Sequence, residues 1–147
     1  VDGLLIVDLP PEEAGSINQE LSKNKLCQIF LASPTTEDKR LKAIARYSSG
    51  YLYYVSLKGI TGSSLISYQP IKKRINRIKK LSDNKIPVTV GFGIKTPEAA
   101  RKISMFSDGI IIGSSIVELI DKNRKNKALM HKKINNFVKS IKSSLVN

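Results

Sequence analysis

Short apolar runs punctuate this chain, and each is followed by a longer stretch in which apolar residues recur every three or four positions. The runs extend from Leu4 to Asp8, Cys27 to Leu31, Tyr51 to Val55, Val88 to Val90 and Gly109 to Ile112, with starts 23, 24, 37 and 21 residues apart. A short continuous apolar run reads as a strand covered on both faces, and a 3.6-residue period reads as a helix lying on a sheet. The alternation therefore predicts five parallel βα units, with an insertion in the third.

Helix-start signals fall in the same register. Pro10-Pro11-Glu12-Glu13 opens one helix with acid at its positive end, and Thr35 followed by Asp38 resembles a capping box for the next. Thr96-Pro97-Glu98 offers an N-cap hydroxyl, a proline at the first helical position and a carboxylate matched to the dipole. Ile71, Ile75 and Ile78 line one face of a helix over 70–81. A final helix from about Ala128 to Leu145 sets Leu129, Ile134, Phe137, Val138, Ile141 and Leu145 on one stripe.

Two α/β folds accommodate five such units. One is an open doubly wound sheet; the other is a (β/α)8 TIM barrel, which has eight units and typically about 250 residues. In the second case the chain supplies the last five units of a single barrel domain, and about three units, roughly 100 residues, precede Val1. Glycine-rich turns favour the barrel. Gly91-Phe92-Gly93-Ile94 follows the fourth run, and Gly113-Ser114-Ser115 follows the fifth and opens a helix. In phosphate-binding barrels the last two βα loops aim backbone N–H groups and a helix N-terminus at the anion, and glycine permits its close approach. The insertion in the third unit, from Ser56 to Ser64, has the glycines and small hydroxyl residues of a mobile lid.

Composition narrows the options further. The 147 residues carry a formal net charge of +13, with 19 Lys against 6 Arg. These cations are spread over the polar faces of most predicted helices and are not interleaved with aromatics, so solvated faces explain them better than a nucleic-acid groove. The longest apolar runs fall far short of the roughly 20 residues of a membrane span. No leader opens the chain, so a cytoplasmic protein is expected. Cys27 reads as a buried strand residue, and His131, the one histidine, as a solvated helix residue with no metal role.

The run Asp2-Gly3-Leu4-Leu5-Ile6-Val7-Asp8-Leu9-Pro10, with Glu12-Glu13, resembles the fourth strand and following loop of tryptophan synthase α subunits. Tyr51 through Gly62, ending Gly59-Ile60-Thr61-Gly62, resembles their sixth strand and mobile loop. Val90-Gly91-Phe92-Gly93-Ile94 and Asp108 through Val117 resemble strands seven and eight. The likeness runs through essentially the whole chain in one register.

That resemblance implies a lyase of tryptophan biosynthesis, cleaving indole-3-glycerol phosphate by a retro-aldol step to indole and glyceraldehyde 3-phosphate. It places Gly62, Gly93, Gly113 and Ser114 at the substrate phosphate, and Leu5, Tyr53 and Phe92 around the indole. Thr61 matches the lid threonine, while Asp8, Pro10, Pro34 and Thr35 fall in loops facing the β subunit of an α2β2 heterotetramer. Pyridoxal phosphate belongs to that β partner, and no cofactor is implied for this subunit. The family's catalytic glutamate and aspartate lie outside the chain. Glu12, Glu13 and Asp38 are explained as helix-start residues. Other phosphate-binding barrels, such as phosphoribosylanthranilate isomerase or indole-glycerol phosphate synthase, are the alternative within the fold; a basic nucleic-acid module is the alternative outside it.

Overall fold

A computed structural model of the chain describes residues 1–56, 68–91 and 93–146. Five strands, β1 (Gly3–Leu5), β2 (Cys27–Ala32), β3 (Leu52–Val55), β4 (Val88–Gly91) and β5 (Gly109–Ile111), form one parallel sheet in sequential order. The helices between and after them are α1 (Gly15–Lys23), α2 (Asp38–Tyr47), α3 (Gln69–Leu81), α4 (Pro97–Ser104), α5 (Ser114–Asn123) and α6 (Lys127–Ser144). A 3-10 turn, Pro11–Glu13, precedes α1. This is the βα alternation that the apolar periodicity predicts.

Parallel register assigns each side chain to a face. Phe30, Leu52 and Val88 pair across the sheet, as do Ala32, Tyr54, Val90 and Ile110. Nearly all of these are buried in one core with Leu41 and Ile44 of α2, Ile71, Ile75 and Ile78 of α3, Ala100 and Ile103 of α4, and Ile141 of α6. Each fully buried isoleucine contributes about 1.5–3 kcal/mol of hydrophobic transfer, so the α3 stripe alone anchors that helix. Alternate residues, Leu31, Tyr53, Val55 and Thr89, occupy the opposite face and are half-buried.

Several expectations are corrected. β1 stops at Leu5, because Leu9 N–H turns back to the Ile6 carbonyl at 3.3 Å and Ile6 and Val7 stay exposed. The capping box from Thr35 to Asp38 does not form. α2 starts at Asp38 with no side-chain cap. The Thr36 hydroxyl instead accepts from Ser33 N–H at 2.9 Å, closing the preceding loop. Asp38 is claimed from another helix: its carboxylate accepts Arg77 Nε at 2.9 Å and Arg74 Nη1 at 3.4 Å.

The cap at Thr96 is present, its hydroxyl accepting from Ala99 N–H at 3.2 Å. The α6 stripe is narrower than its sequence suggests. Ile141 is buried and Phe137 and Leu145 half-buried where α6 packs on α4 and α5, but Leu129 and Val138 are exposed. Cys27 is half-buried, with Gly50 beside its sulfur and Gly3 against its carbonyl and Cβ.

Candidate functional site

The loops after β1, β2, β4 and β5 all leave the carboxyl ends of parallel strands and therefore lie at one end of the sheet. In parallel α/β architectures that end is where ligands bind, because helix N-termini converge there.

Two turns form the centre of the site. After β4, Gly93 adopts φ +76°, a left-handed conformation that a side chain would strain. After β5, Gly113 is the N-cap of α5, with φ −113° and ψ −69°, and it is exposed together with Ser114. Among the described residues, a Cβ built on Gly113 would meet nothing within 4 Å. Neither backbone conformation nor packing among the described residues therefore demands glycine there, and its small size leaves space above the helix end on their side. α5 has no side-chain cap and no acid in its first turn, whereas α4 is capped by Thr96 and carries Glu98. The positive end of α5 is thus uncompensated by side-chain charge, an arrangement that favours an external anion.

Ser115 joins these turns. Its Oγ donates to the Ile94 carbonyl at 3.2 Å; Ser115 is buried, and Ile94 belongs to the core. Lys95 pairs with Glu118 at 3.3 Å, again between the loop after β4 and α5. Sequence reading overlooked Ser115, since no spacing rule singles out the second serine of a helix start whose partner lies 21 residues earlier.

Tyr53 lies on the half-buried face, with its ring across Gly91. Burial, reinforced by Tyr51, raises its phenol pKa, so it is a neutral hydroxyl at physiological pH. Leu5 pairs with Ile29, and Leu31 with Tyr53, so alternation puts Leu5 and Tyr53 on the same face. Asp8, Pro34 and Thr35 are exposed and Pro10 is half-buried, in the loops after β1 and β2 at the same end. Thr61, Gly62 and Phe92, with most of the loop read as a lid, lie outside the described residues. Glu12 and Glu13 are exposed in the 3-10 turn, and His131 is exposed on α6. Among the described residues, no helix is long and apolar enough to cross a membrane.

Sequential parallel strands, helical returns and paired glycine turns at the carboxyl ends of the last two strands define a run of βα units of the (β/α)8-barrel class. The model of the tryptophan synthase alpha chain family matches residues 1–146, and the chain belongs to that family. It is 39% identical over 145 residues to the tryptophan synthase alpha chain of Marinobacter nauticus, covering 99% of this chain and 53% of that protein. The crystal structure of the alpha chain from Legionella pneumophila superposes with a TM-score of 0.82 at 36% identity, over 99% of this chain and 52% of that one. A chain in the tryptophan synthase α2β2 complex of Pyrococcus furiosus gives a TM-score of 0.81 at 29% identity, over 97% of this chain and 56% of that one. The chain thus spans about half the length of the curated relatives it matches.

Proposed function

We propose that this chain forms the last five βα units of a single (β/α)8 domain, the α subunit of tryptophan synthase. That subunit cleaves indole-3-glycerol phosphate to indole and glyceraldehyde 3-phosphate and passes indole to a β subunit in an α2β2 assembly. The observation that carries the reading is the pairing of the Gly93 turn with the uncapped N-terminus of α5 at Gly113 and Ser114, tied together by Ser115. It gives a substrate phosphate backbone and hydroxyl donors from two directions.

The parts divide the work by chemistry. Gly93, Gly113 and Ser114, with Gly62 from the third unit, hold the phosphate and so fix the glycerol chain. Leu5, Tyr53 and Phe92 wall the indole with apolar surface. Retro-aldol cleavage then needs a proton delivered to indole C3, removal of the glycerol hydroxyl proton and stabilisation of charge at the ring nitrogen. A glutamate and an aspartate on units outside this chain perform those transfers. This chain contributes position, which converts a loose encounter into an oriented one, and Thr61 closes the lid toward the aspartate. Asp8, Pro10, Pro34 and Thr35 meet the β subunit, which carries the pyridoxal phosphate; this subunit has neither cofactor nor metal and works in the cytoplasm.

The exposed apolar residues support the half-domain reading. β1 and β5 each have one neighbour in the described sheet, and Leu4, Ile6 and Val7 near one edge and Val117 and Ile120 near the other are exposed. Three further βα units would cover both edges. The test is indole release from indole-3-glycerol phosphate by the intact protein carrying all eight units, beside its Gly113→Asp variant. A carboxylate at that helix end repels the phosphate and is expected to raise KM by about tenfold or more. Absence of indole formation by the intact wild-type protein would overturn the reading.

A further inference from the structure

We infer that Ser115 is a positioning residue for phosphate recognition, acting through a single hydrogen bond that locks the two anion-facing turns together. The inference rests on the proposed function above and deepens it, because it identifies what holds the two halves of the phosphate cradle at one spacing.

The geometry is specific. Ser115 sits in the first turn of α5, one residue after Ser114, and turns its hydroxyl inward, away from the exposed face that Gly113 and Ser114 present. Its Oγ donates to the Ile94 carbonyl at 3.2 Å, immediately after Gly93. The loop after β4 and the start of α5 are separated by 21 residues and belong to different βα units. Parallel pairing of Gly91 with Ile111 brings the two turns side by side, but the φ of +76° at Gly93 shapes one turn without setting how it meets the helix end. Ile94 is itself 2% exposed, so its backbone is anchored in the core. The hydroxyl therefore transmits a rigid reference point to the helix end. Lys95 and Glu118 add a second, solvent-screened link between the same segments at 3.3 Å.

An anion held by donors from two separate loops loses affinity when either moves, since both sets must converge within hydrogen-bond distance at once. Removing the Ser115 hydroxyl frees α5 to shift relative to the Gly93 turn. It leaves the wall formed by Leu5 and Tyr53, on β1 and β3, untouched. The consequence is a selective defect in phosphate binding.

The experiment measures dissociation constants of inorganic phosphate and, separately, of indole for the intact protein, its Ser115→Ala, Ser115→Thr and Gly113→Asp variants, by calorimetry or by NMR titration. Ser115→Ala is expected to weaken phosphate binding about fivefold, the loss of one ordinary hydrogen bond, with a modest fall in melting temperature and indole affinity close to wild type. Ser115→Thr, which keeps the hydroxyl, is expected to recover most of that loss. Phosphate affinity unchanged in Ser115→Ala, while Gly113→Asp abolishes it, would overturn the tether and leave the phosphate site standing. Parallel loss of phosphate, indole and thermal stability would also overturn it, because the hydroxyl would then be holding the fold in general. Wild-type phosphate binding indifferent to Gly113→Asp would bring down the phosphate site and the tether together.

Discussion

The ring of Tyr53 lies across the backbone of Gly91, so that a Cβ placed on Gly91 would sit 2.5 Å from Cε2 and 2.7 Å from Cζ of the ring and would also strike the hydroxyl. Gly91 ends β4 and leads into the Gly93 turn, and Tyr53 is on the adjacent strand. Glycine at 91 is therefore what lets an aromatic residue lie flat along that face. Gly91→Ala should destabilise the intact protein by about 1–3 kcal/mol, the usual cost of overpacking. Gly113→Ala offers the contrast, because its Cβ would meet nothing within 4 Å among the described residues and its φ is negative. Thermal melts of the two variants should show a clear loss for the first and almost none for the second. Equal losses would mean that the Tyr53 contact does not decide the cost.

At α4 the prediction concerns a cap. Thr96 accepts Ala99 N–H at 3.2 Å, Pro97 occupies the first helical position, and α4 packs Ala100 and Ile103 into the core. Hydrogen bonds from its own backbone N–H and from the Thr96 hydroxyl hold the Glu98 carboxyl below its ordinary pKa. Thr96→Ala should cost about 1 kcal/mol of stability, and Thr96→Ser should recover most of it. Denaturant titration of the three proteins measures this directly. A null effect for Thr96→Ala would show that packing alone sets the start of α4.

The contrast between Thr96 and Thr35 explains how much could be read beforehand. Both sit ahead of a helix with an acid a few residues on, yet only Thr96 caps. At 33–38 the local hydroxyl network and two arginines from α3, distant in sequence, outcompete the capping geometry. Periodicity located all five strands and the α3 stripe, because burial against a sheet imposes a period that the sequence must carry. It overran β1, where no alternation marks the turn at Ile6, and it widened α6, whose contact with α4 and α5 is a narrow line. The glycines of the candidate site were legible as turn residues. Ser115 was not, because its role depends on Ile94 in another unit.

Asp108 carries a prediction at the opposite end of the strands. Its Oδ2 accepts Val88 N–H at 2.8 Å at the start of β4, and its Oδ1 accepts Lys79 Nζ at 2.7 Å. One carboxylate thereby connects α3, β4 and β5. Asp108→Ala leaves the Val88 N–H without that acceptor beside a fully buried side chain, at a cost of about 1–3 kcal/mol. Since the proposed phosphate site lies at the other end of the strands, phosphate affinity in the folded variant should match wild type. Chemical unfolding together with phosphate titration separates the two quantities. A phosphate defect with unchanged stability would contradict this division of the fold.

Asp38 makes stability depend on acid. The Arg77 hydrogen bond, aided by the charges of Arg77 and Arg74, holds the Asp38 carboxyl below its ordinary value of 3.8, and Arg77 is correspondingly shifted upward. Because the folded pKa lies below the unfolded one, the contribution is fully present above the unfolded value and is lost as pH falls through the folded value. At neutral pH, Asp38→Asn should therefore melt at a lower temperature than wild type, since α2 and α3 lose their charged link. Below about pH 4 the gap should narrow, because wild type then surrenders the same charge. High salt should narrow it as well at neutral pH, since the pair is partly open to solvent. Melting curves from pH 7 down to the onset of acid unfolding test both trends. A gap that stays constant across that range would mean that Asp38 links the helices by shape and neutral hydrogen bonding, with its charge playing no part.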